Sequence, residues 1–150
     1  LCSRKMHSRE MLGLVDWQLL VLFVGLFVVN HTMQTSGNLE WLMAHLRSGG
    51  VELEKPAWLF GSTVVLSNLV SNVPAVMLLL PSATHPMAGP ILAIVSTLAG
   101  NLLLVGSIAN LIVVDQAKRL DVEITWGDHA RVGIPVSVVT LAIAALWFWL

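Results

Sequence analysis

Apolar residues in this chain run in long unbroken blocks, not in stripes. Leu12 to Val29 forms the first block, with Asp16 at its mouth. Ile91 to Val114 forms another, entered by Pro90 and left at Asp115. Val132 to Leu150 closes the chain, with Pro135 in its first turn, where proline is tolerated. A membrane-crossing helix needs roughly 20 mostly apolar residues. Continuous apolar sequence of that length, without an amphipathic face, reads as a lipid-embedded helix. The pattern predicts transmembrane helices over 12–34, 90–117 and 131–150.

A fourth apolar run, Ala57 to Leu80, is interrupted at its middle by SNLVSNVPA, residues 67–75. Pro74 removes a backbone donor and pushes Val73 away from helical geometry. Freed backbone groups have no partners in lipid. The run is therefore either packed inside protein or folded back as a re-entrant hairpin. Charge decides between these, because Lys and Arg favour the cytoplasmic side. If 57–80 crosses fully, the two sides carry three and five basic residues, with Arg4, Lys5 and Arg9 on the poorer side. If it is re-entrant, those three join Lys118, Arg119 and Arg131, which makes six against two, Arg47 and Lys55. The charge pattern predicts a re-entrant hairpin over 57–80, the N-terminus inside and the C-terminus outside.

Between the first span and the hairpin, Leu39, Leu42, Met43 and Leu46 share one helical face, with Glu40 and Arg47 elsewhere. This predicts an amphipathic interfacial helix over 38–48 on the outer surface. Residues 1–11 and 118–130 become cytoplasmic loops. The block after residue 11 is too long for a signal-peptide core and has no small-residue cleavage site, so the start reads as a loop of a longer protein. Trp17 and Trp126 fall at the inner interface. Trp41, Trp58, Trp147 and Trp149 fall at the outer one, as aromatic belts require. Asn30, His31 and Gln34 are expected at the outer end of the first span, and Asp128 and His129 near the inner surface.

Composition agrees and narrows the function. Hydrophobic residues make up 56% of the chain and charged residues 11%, where a soluble domain carries about 25% charged. Mean hydropathy is +0.80. No basic stripe exists to bind nucleic acid. Cys2 is the single cysteine, which excludes an internal disulfide and a cysteine-based metal site. No Ser-His-Asp set, zinc spacing or glycine-rich phosphate loop occurs, so the chain does not read as an enzyme and no cofactor is expected.

The second span has its own interruption. Gly106, Ser107, Ile108, Ala109 and Asn110 sit in LLLVGSIANLIVV, where glycine and serine together allow unwinding. Discontinuous helices of this kind form ion and substrate sites in secondary transporters. Half-helix N-termini present N–H groups to anions. Freed carbonyls with Ser and Asn oxygens suit a small hard cation, and Ser71, Asn72, Ser107 and Asn110 are the expected sodium ligands. Ser67 and Asn68 are secondary candidates. Gly100 and Asn101 read as helix-packing residues, because small and amide side chains bring membrane helices together.

The order VDWQLLVLFVGLFVV, an interfacial segment, SNLVSNVPAVMLLLP, GNLLLVGSIANLIV, ITWGDHARVGIPVSVVTL resembles the C-terminal half of the ion-transporter superfamily. Arsenite efflux permeases of the ArsB type, NhaD-type sodium/proton antiporters and citrate or dicarboxylate carriers belong to it. The resemblance runs from about Val15 to Leu150. The SNVPA and GSIAN pair, in this order, is specific for the superfamily and not for a substrate. It implies one half of an inverted-repeat transporter, all-α: three transmembrane helices (one broken), a re-entrant hairpin and an interfacial helix. It also implies that the hairpin tip and the unwound helix hold cation and substrate. The matching positions are Ser71, Asn72 and Val73 at the tip, and Gly106, Ser107 and Asn110 in the break. Val73 departs from the dicarboxylate-carrier pattern because it lacks a hydroxyl, which leans towards the arsenite-permease-like or anion-permease branch.

The expected function is secondary active transport of small anions or oxyanions, driven by a sodium or proton gradient. The alternatives are a sodium/proton antiporter and a membrane structural subunit without transport. The expected partners are a small anion, the lipid bilayer, the N-terminal half of the same transporter and a second copy in a homodimer. The expected location is a bacterial or archaeal inner membrane, crossed several times.

Overall fold

The computed structural model describes residues 17–150. The expected loop 1–11, Asp16 and the basic residues Arg4, Lys5 and Arg9 lie outside the described residues. Among the described residues all regular structure is helical: α1 (Trp17–Thr35), α2 (Asn38–Ser48), α3 (Pro56–Val70), α4 (Asn72–Leu79), α5 (Ala88–Ala99), α6 (Ile108–Arg119) and α7 (Trp126–Trp149). Short 3₁₀ turns occupy Leu80–Ser82 and Leu104–Gly106.

α1 and α2 meet at a 68° bend. Gly37 sits in the corner with φ 75, a left-handed conformation that glycine adopts without a Cβ clash. The apolar face of α2 packs on protein: Leu39 and Met43 are buried, and Leu42 and Leu46 lean on the same core. Glu40, Trp41 and Arg47 point outward.

α3 and α4 are joined through Ser71 alone, and contacts to α5 fix their directions. Asn68, near the end of α3, donates to the carbonyl of Ala99 at the end of α5. Leu59, near the start of α3, shares a buried core with Ala88 and Ile91 at the start of α5. So α3 and α5 run parallel. Asn72 at the start of α4 lies beside Gly100, while Leu78 and Leu79 at its end join the Leu59 core. So α4 runs back, and Pro56–Leu79 is a helical hairpin with Ser71 at its tip. Pro74 sits in the first turn of α4, where the donor it lacks has no intrahelical acceptor.

α7 starts earlier than the apolar block suggests. Thr125 and Asp128 form a reciprocal cap: Asp128 N–H donates to Thr125 Oγ1 at 3.2 Å, and Thr125 N–H donates to Asp128 Oδ2 at 3.1 Å. This satisfies two donors and lets the helix begin at Trp126. Pro135 therefore lies inside the helix, not in its first turn, and removes one helical hydrogen bond there. α7 runs antiparallel to α5. Its His129 touches Asn101, and its Trp149 packs on Phe60 of α3 with ring centroids 5.7 Å apart.

α7 is the one helix among the described residues that is alone long and apolar enough to cross a membrane. Its 24 residues extend about 36 Å. It is not a core helix of a soluble protein, since Val132, Val138, Val139, Ile143 and Leu146 are all more than half exposed. The same holds for Val21, Val24, Val28 and Val29 of α1.

Candidate functional site

The hairpin tip meets the break between α5 and α6 at the end of α5. α5 stops at Ala99, and Leu103 and Ser107 are extended, with ψ of 147 and 134. The chain is thus unwound over 100–107, with one 3₁₀ turn inside. The sequence had pointed to 106–110. Ile108, Ala109 and Asn110 instead form the first turn of α6, capped by Ser107, whose Oγ accepts from Ala109 N–H at 3.3 Å. The break opens six residues earlier than the sequence suggested, because side-chain donors hold carbonyls at the end of α5 and in the unwound stretch.

Three asparagines supply those donors. Asn68 is buried in α3. Its Nδ2 donates to Val64 O at 2.9 Å and to Ala99 O at 3.0 Å, and its Oδ1 accepts from Leu103 N–H at 3.2 Å. Asn110 reaches back from α6: its Nδ2 donates to Gly100 O at 2.8 Å and, at 3.4 Å, to Leu103 O. Asn72 at the hairpin tip, with its amide nitrogen turned to the carbonyls, donates to Ser96 O at 2.9 Å and Gly106 O at 3.1 Å. The carbonyls of Ser96, Ala99 and Leu103 also accept main-chain N–H groups, from Gly100, Leu102 and Gly106, so the amides add a second bond there. The carbonyls of Gly100 and Gly106 are held by Asn110 and Asn72.

Two glycines make room. A Cβ on Gly100 would lie 2.5 and 2.6 Å from the terminal amide atoms of Asn72. A Cβ on Gly106 would lie 2.7 Å from Asn68 Oδ1 and 3.0 Å from Gly100 O. Gly100, read from the sequence as a packing residue, is a packing residue for the hairpin tip itself.

Ser71 links the two hairpin helices at φ 74, ψ 162. That region is nearly exclusive to glycine and costs a serine about 1–3 kcal/mol. Such strain persists only where the surroundings enforce it, here the turn-back of α4 onto α5. Ser67 is fully buried, and its hydroxyl has no partner among the described residues. Val73 is exposed. Of the sequence candidates, then, Asn68, Asn72, Gly106 and Asn110 converge on the break. Ser107 caps α6, while Ser67, Ser71 and Val73 make no side-chain hydrogen bond to it. The amide nitrogens of Asn72 and Asn110 are engaged with carbonyls, so any further contact of these side chains is made through their oxygens, which only accept. Among the described residues no three His, Cys, Asp or Glu side chains gather as a metal site.

Two further residues had no clear sequence signal. Asn30, expected at an interface, is buried, and its Oδ1 has no partner among the described residues. It lines an apolar cleft of about 650 Å³ between α1 and the hairpin, with Gly25, Val70, Pro74 and Leu78. His129 comes from α7 to meet Asn101 in the break, with Nε2 3.0 Å from the carbonyl oxygen. Asp115, at the far end of α6, is paired on the surface with Arg119 at 2.9 Å. The break lies level with the first two turns of α7, and so near one end of that helix.

A citrate transporter family profile (CitMHS) matches residues 1–99. A Dictyostelium discoideum protein carrying the transporter name arsB is 34% identical over 153 residues, 95% of this chain and 27% of that protein. The silicon efflux transporter LSI3 of Oryza sativa subsp. japonica is 35% identical over 148 residues, 86% of this chain and 30% of its own. The arsenical pump membrane protein of Escherichia coli is 29% identical over 157 residues, 93% of this chain and 36% of its own. The chain spans about a third of the length of these curated relatives. No solved structure matches it. The relatives are membrane transport proteins and not enzymes, which accounts for the lipid-type surface of α1 and α7 in a multi-pass integral membrane protein. The chain belongs to the citrate transporter family, within the ion-transporter superfamily.

Proposed function

We propose that this chain supplies one half of the substrate and ion site of a secondary active transporter for small anions or oxyanions, coupled to sodium or protons. The observation that carries the reading is the meeting of hairpin tip and helix break. Asn68, Asn72 and Asn110 there hold the carbonyls of Ser96, Ala99, Gly100, Leu103 and Gly106. A cation entering the break competes with the amide N–H groups for the same oxygens. The start of α6 brings the positive end of its helix dipole to an anion beside it, although Ser107 already holds the N–H groups of Ala109 and Asn110. Broken helices with such ends are the means by which secondary transporters bind ions inside a membrane.

In this reading α1, the α5–α6 pair and α7 cross the bilayer, and the α3–α4 hairpin enters from outside and returns. The end-to-end arrangement supports it. Trp58 and Trp149 lie at one end, through the Phe60–Trp149 contact, and Trp126 lies at the other. Lys55 precedes α3 at the first end, and Arg131 lies near the start of α7 at the second. Alternating access then requires the hairpin and break to open to each side in turn, with the rest of the transporter as the other wall.

The test is flux through the full-length protein in proteoliposomes, scanning arsenite, citrate, sulfate and sodium. Asn72→Ala and Asn110→Ala should each weaken apparent affinity or cation dependence. Unchanged values in both variants sink the site assignment. Sodium flux in exchange for protons, with no anion carried, replaces anion transport by an antiporter.

A further inference from the structure

The hairpin and α6 hold most of the break carbonyls, but one is held from elsewhere. The Asn101 carbonyl meets His129 Nε2 at 3.0 Å. A carbonyl oxygen only accepts, so the ring nitrogen donates, and the contact selects the Nε2–H form of the imidazole. Gly133 lies one turn further along α7, on the same face as His129. A Cβ at Gly133 would collide with that same carbonyl and would stand 3.0 Å from His129 Nε2. A ring donor and a missing side chain, four residues apart, thus form a notch that takes one carbonyl. Val132 and Val136 complete a small cleft around it, with a volume of about 200 Å³.

We propose that His129 is a positioning residue for the transport site, acting through the main-chain carbonyl of Asn101 in the notch made with Gly133. The inference rests on the transport reading above. Its physical basis is that the break is unwound, so single turn bonds, such as Leu102 N–H to Ala99 O at 3.0 Å, stand in place of a continuous helical ladder. Gly100 and Leu103, on either side of Asn101–Leu102, present their carbonyls to Asn110 at 2.8 and 3.4 Å. Pinning the Asn101 carbonyl adds a second hold on the peptide between Asn101 and Leu102, whose N–H end is bonded to Ala99 O, and so narrows the direction of both neighbours. Without the pin these oxygens spread over several directions, and an incoming ion must order them at the cost of affinity. The chemical groups that take the ion are untouched, so the maximal rate is largely kept.

The test uses full-length protein in proteoliposomes with sodium, arsenite and citrate as probes, and four variants. His129→Ala should raise the KM for the carried probe several-fold, up to about tenfold for one lost hydrogen bond, with the maximal rate within about twofold. His129→Gln, whose amide nitrogen reaches nearly the same position as Nε2, should return KM to near the starting value. Gly133→Ala should raise KM by closing the notch. Asn72→Ala serves as the control for the underlying reading. If Asn72→Ala raises KM and His129→Ala does not, the positioning role is overturned and the transport site stands. If neither changes KM, or the native protein carries none of the probes, the reading fails and this inference with it. Equal losses in His129→Ala and His129→Gln also overturn it. A measurement that needs no variant to fold is ring ¹⁵N NMR of native protein: a protonated Nε2 on His129 supports the notch, and a protonated Nδ1 with bare Nε2 overturns it.

Discussion

Asn68 and Asn110 hold the same residue of the helix break. The N–H of Leu103 donates to Asn68 Oδ1 at 3.2 Å, and its carbonyl accepts from Asn110 Nδ2 at 3.4 Å. One asparagine comes from the hairpin and the other from the helix after the break. The geometry of the unwound stretch is therefore set jointly by two elements that are 42 residues apart in sequence at these positions, 110 less 68.

Shared grip implies coupling. Asn68→Ala removes three hydrogen bonds at a buried site and leaves the Leu103 N–H without its partner, while the Ala99 carbonyl keeps only the Leu102 N–H. The expected loss is about 2–4 kcal/mol, since a buried orphan costs more than the bond is worth. Asn110→Ala alone should cost less, because Asn110 is only half-buried. The double variant should fall short of the sum by about 0.5–3 kcal/mol, because the second deletion acts on a break already loosened. Denaturation of the full-length protein in detergent provides the cycle. Strict additivity would show that Leu103 is not shared.

The apolar blocks that mark α1, α5–α6 and α7 are legible because lipid exposure leaves no need for a polar face. The hairpin is legible too, from Pro74 after two Ser-Asn pairs. The position of the break is not. Gly100–Asn101 has no local signal that separates it from helix packing, because what opens the helix there is Asn68, Asn72 and His129, each 24 or more residues away from its partner at the end of α5 or in the break. Gly106–Ser107 looks like a breaker and instead ends the break. The start of α7 was legible and missed: Thr125-x-x-Asp128 has the spacing of a capping box, but hydropathy alone places the start after the charged residues.

That cap gives a second prediction. Thr125→Ala removes the acceptor for Asp128 N–H and one half of the reciprocal pair. The expected cost is about 1 kcal/mol. The effect should be local: faster amide exchange over 126–130, with exchange at Val138–Ala144 unchanged. A uniform rise along α7 would mean that the cap does not set the helix start.

Two glycine substitutions separate space from propensity. Gly61 lies in α3 with nothing within 4 Å of a built Cβ. Gly61→Ala should therefore stabilise by up to about 1 kcal/mol through helix propensity alone. Gly100→Ala places a methyl group within 2.6 Å of the Asn72 amide, so the hairpin tip has to move. Overpacking of this kind costs about 1–3 kcal/mol. Under the transport reading it should also weaken apparent ion affinity, which Gly61→Ala should leave alone. Thermal melts and flux on the same preparations make the comparison. A neutral Gly100→Ala would show that the tip does not sit against the break in the full-length protein.

Ser71 offers the sharpest separation of structure from function. Its backbone, at φ 74 and ψ 162, is one that glycine adopts freely and serine does not. Ser71→Gly should relieve about 1–3 kcal/mol of strain, offset in part by the greater freedom of glycine in the unfolded chain. Ser71→Ala keeps the strain and removes only the hydroxyl. If that hydroxyl binds an ion or substrate, both variants lose affinity, while Ser71→Gly melts higher than Ser71→Ala. If the residue serves only to turn the chain, Ser71→Gly gains stability and keeps full affinity, and Ser71→Ala changes neither. A third pattern, in which Ser71→Gly melts lower than the native protein, would show that the strained conformation is not adopted at the tip, and that the hairpin turns elsewhere.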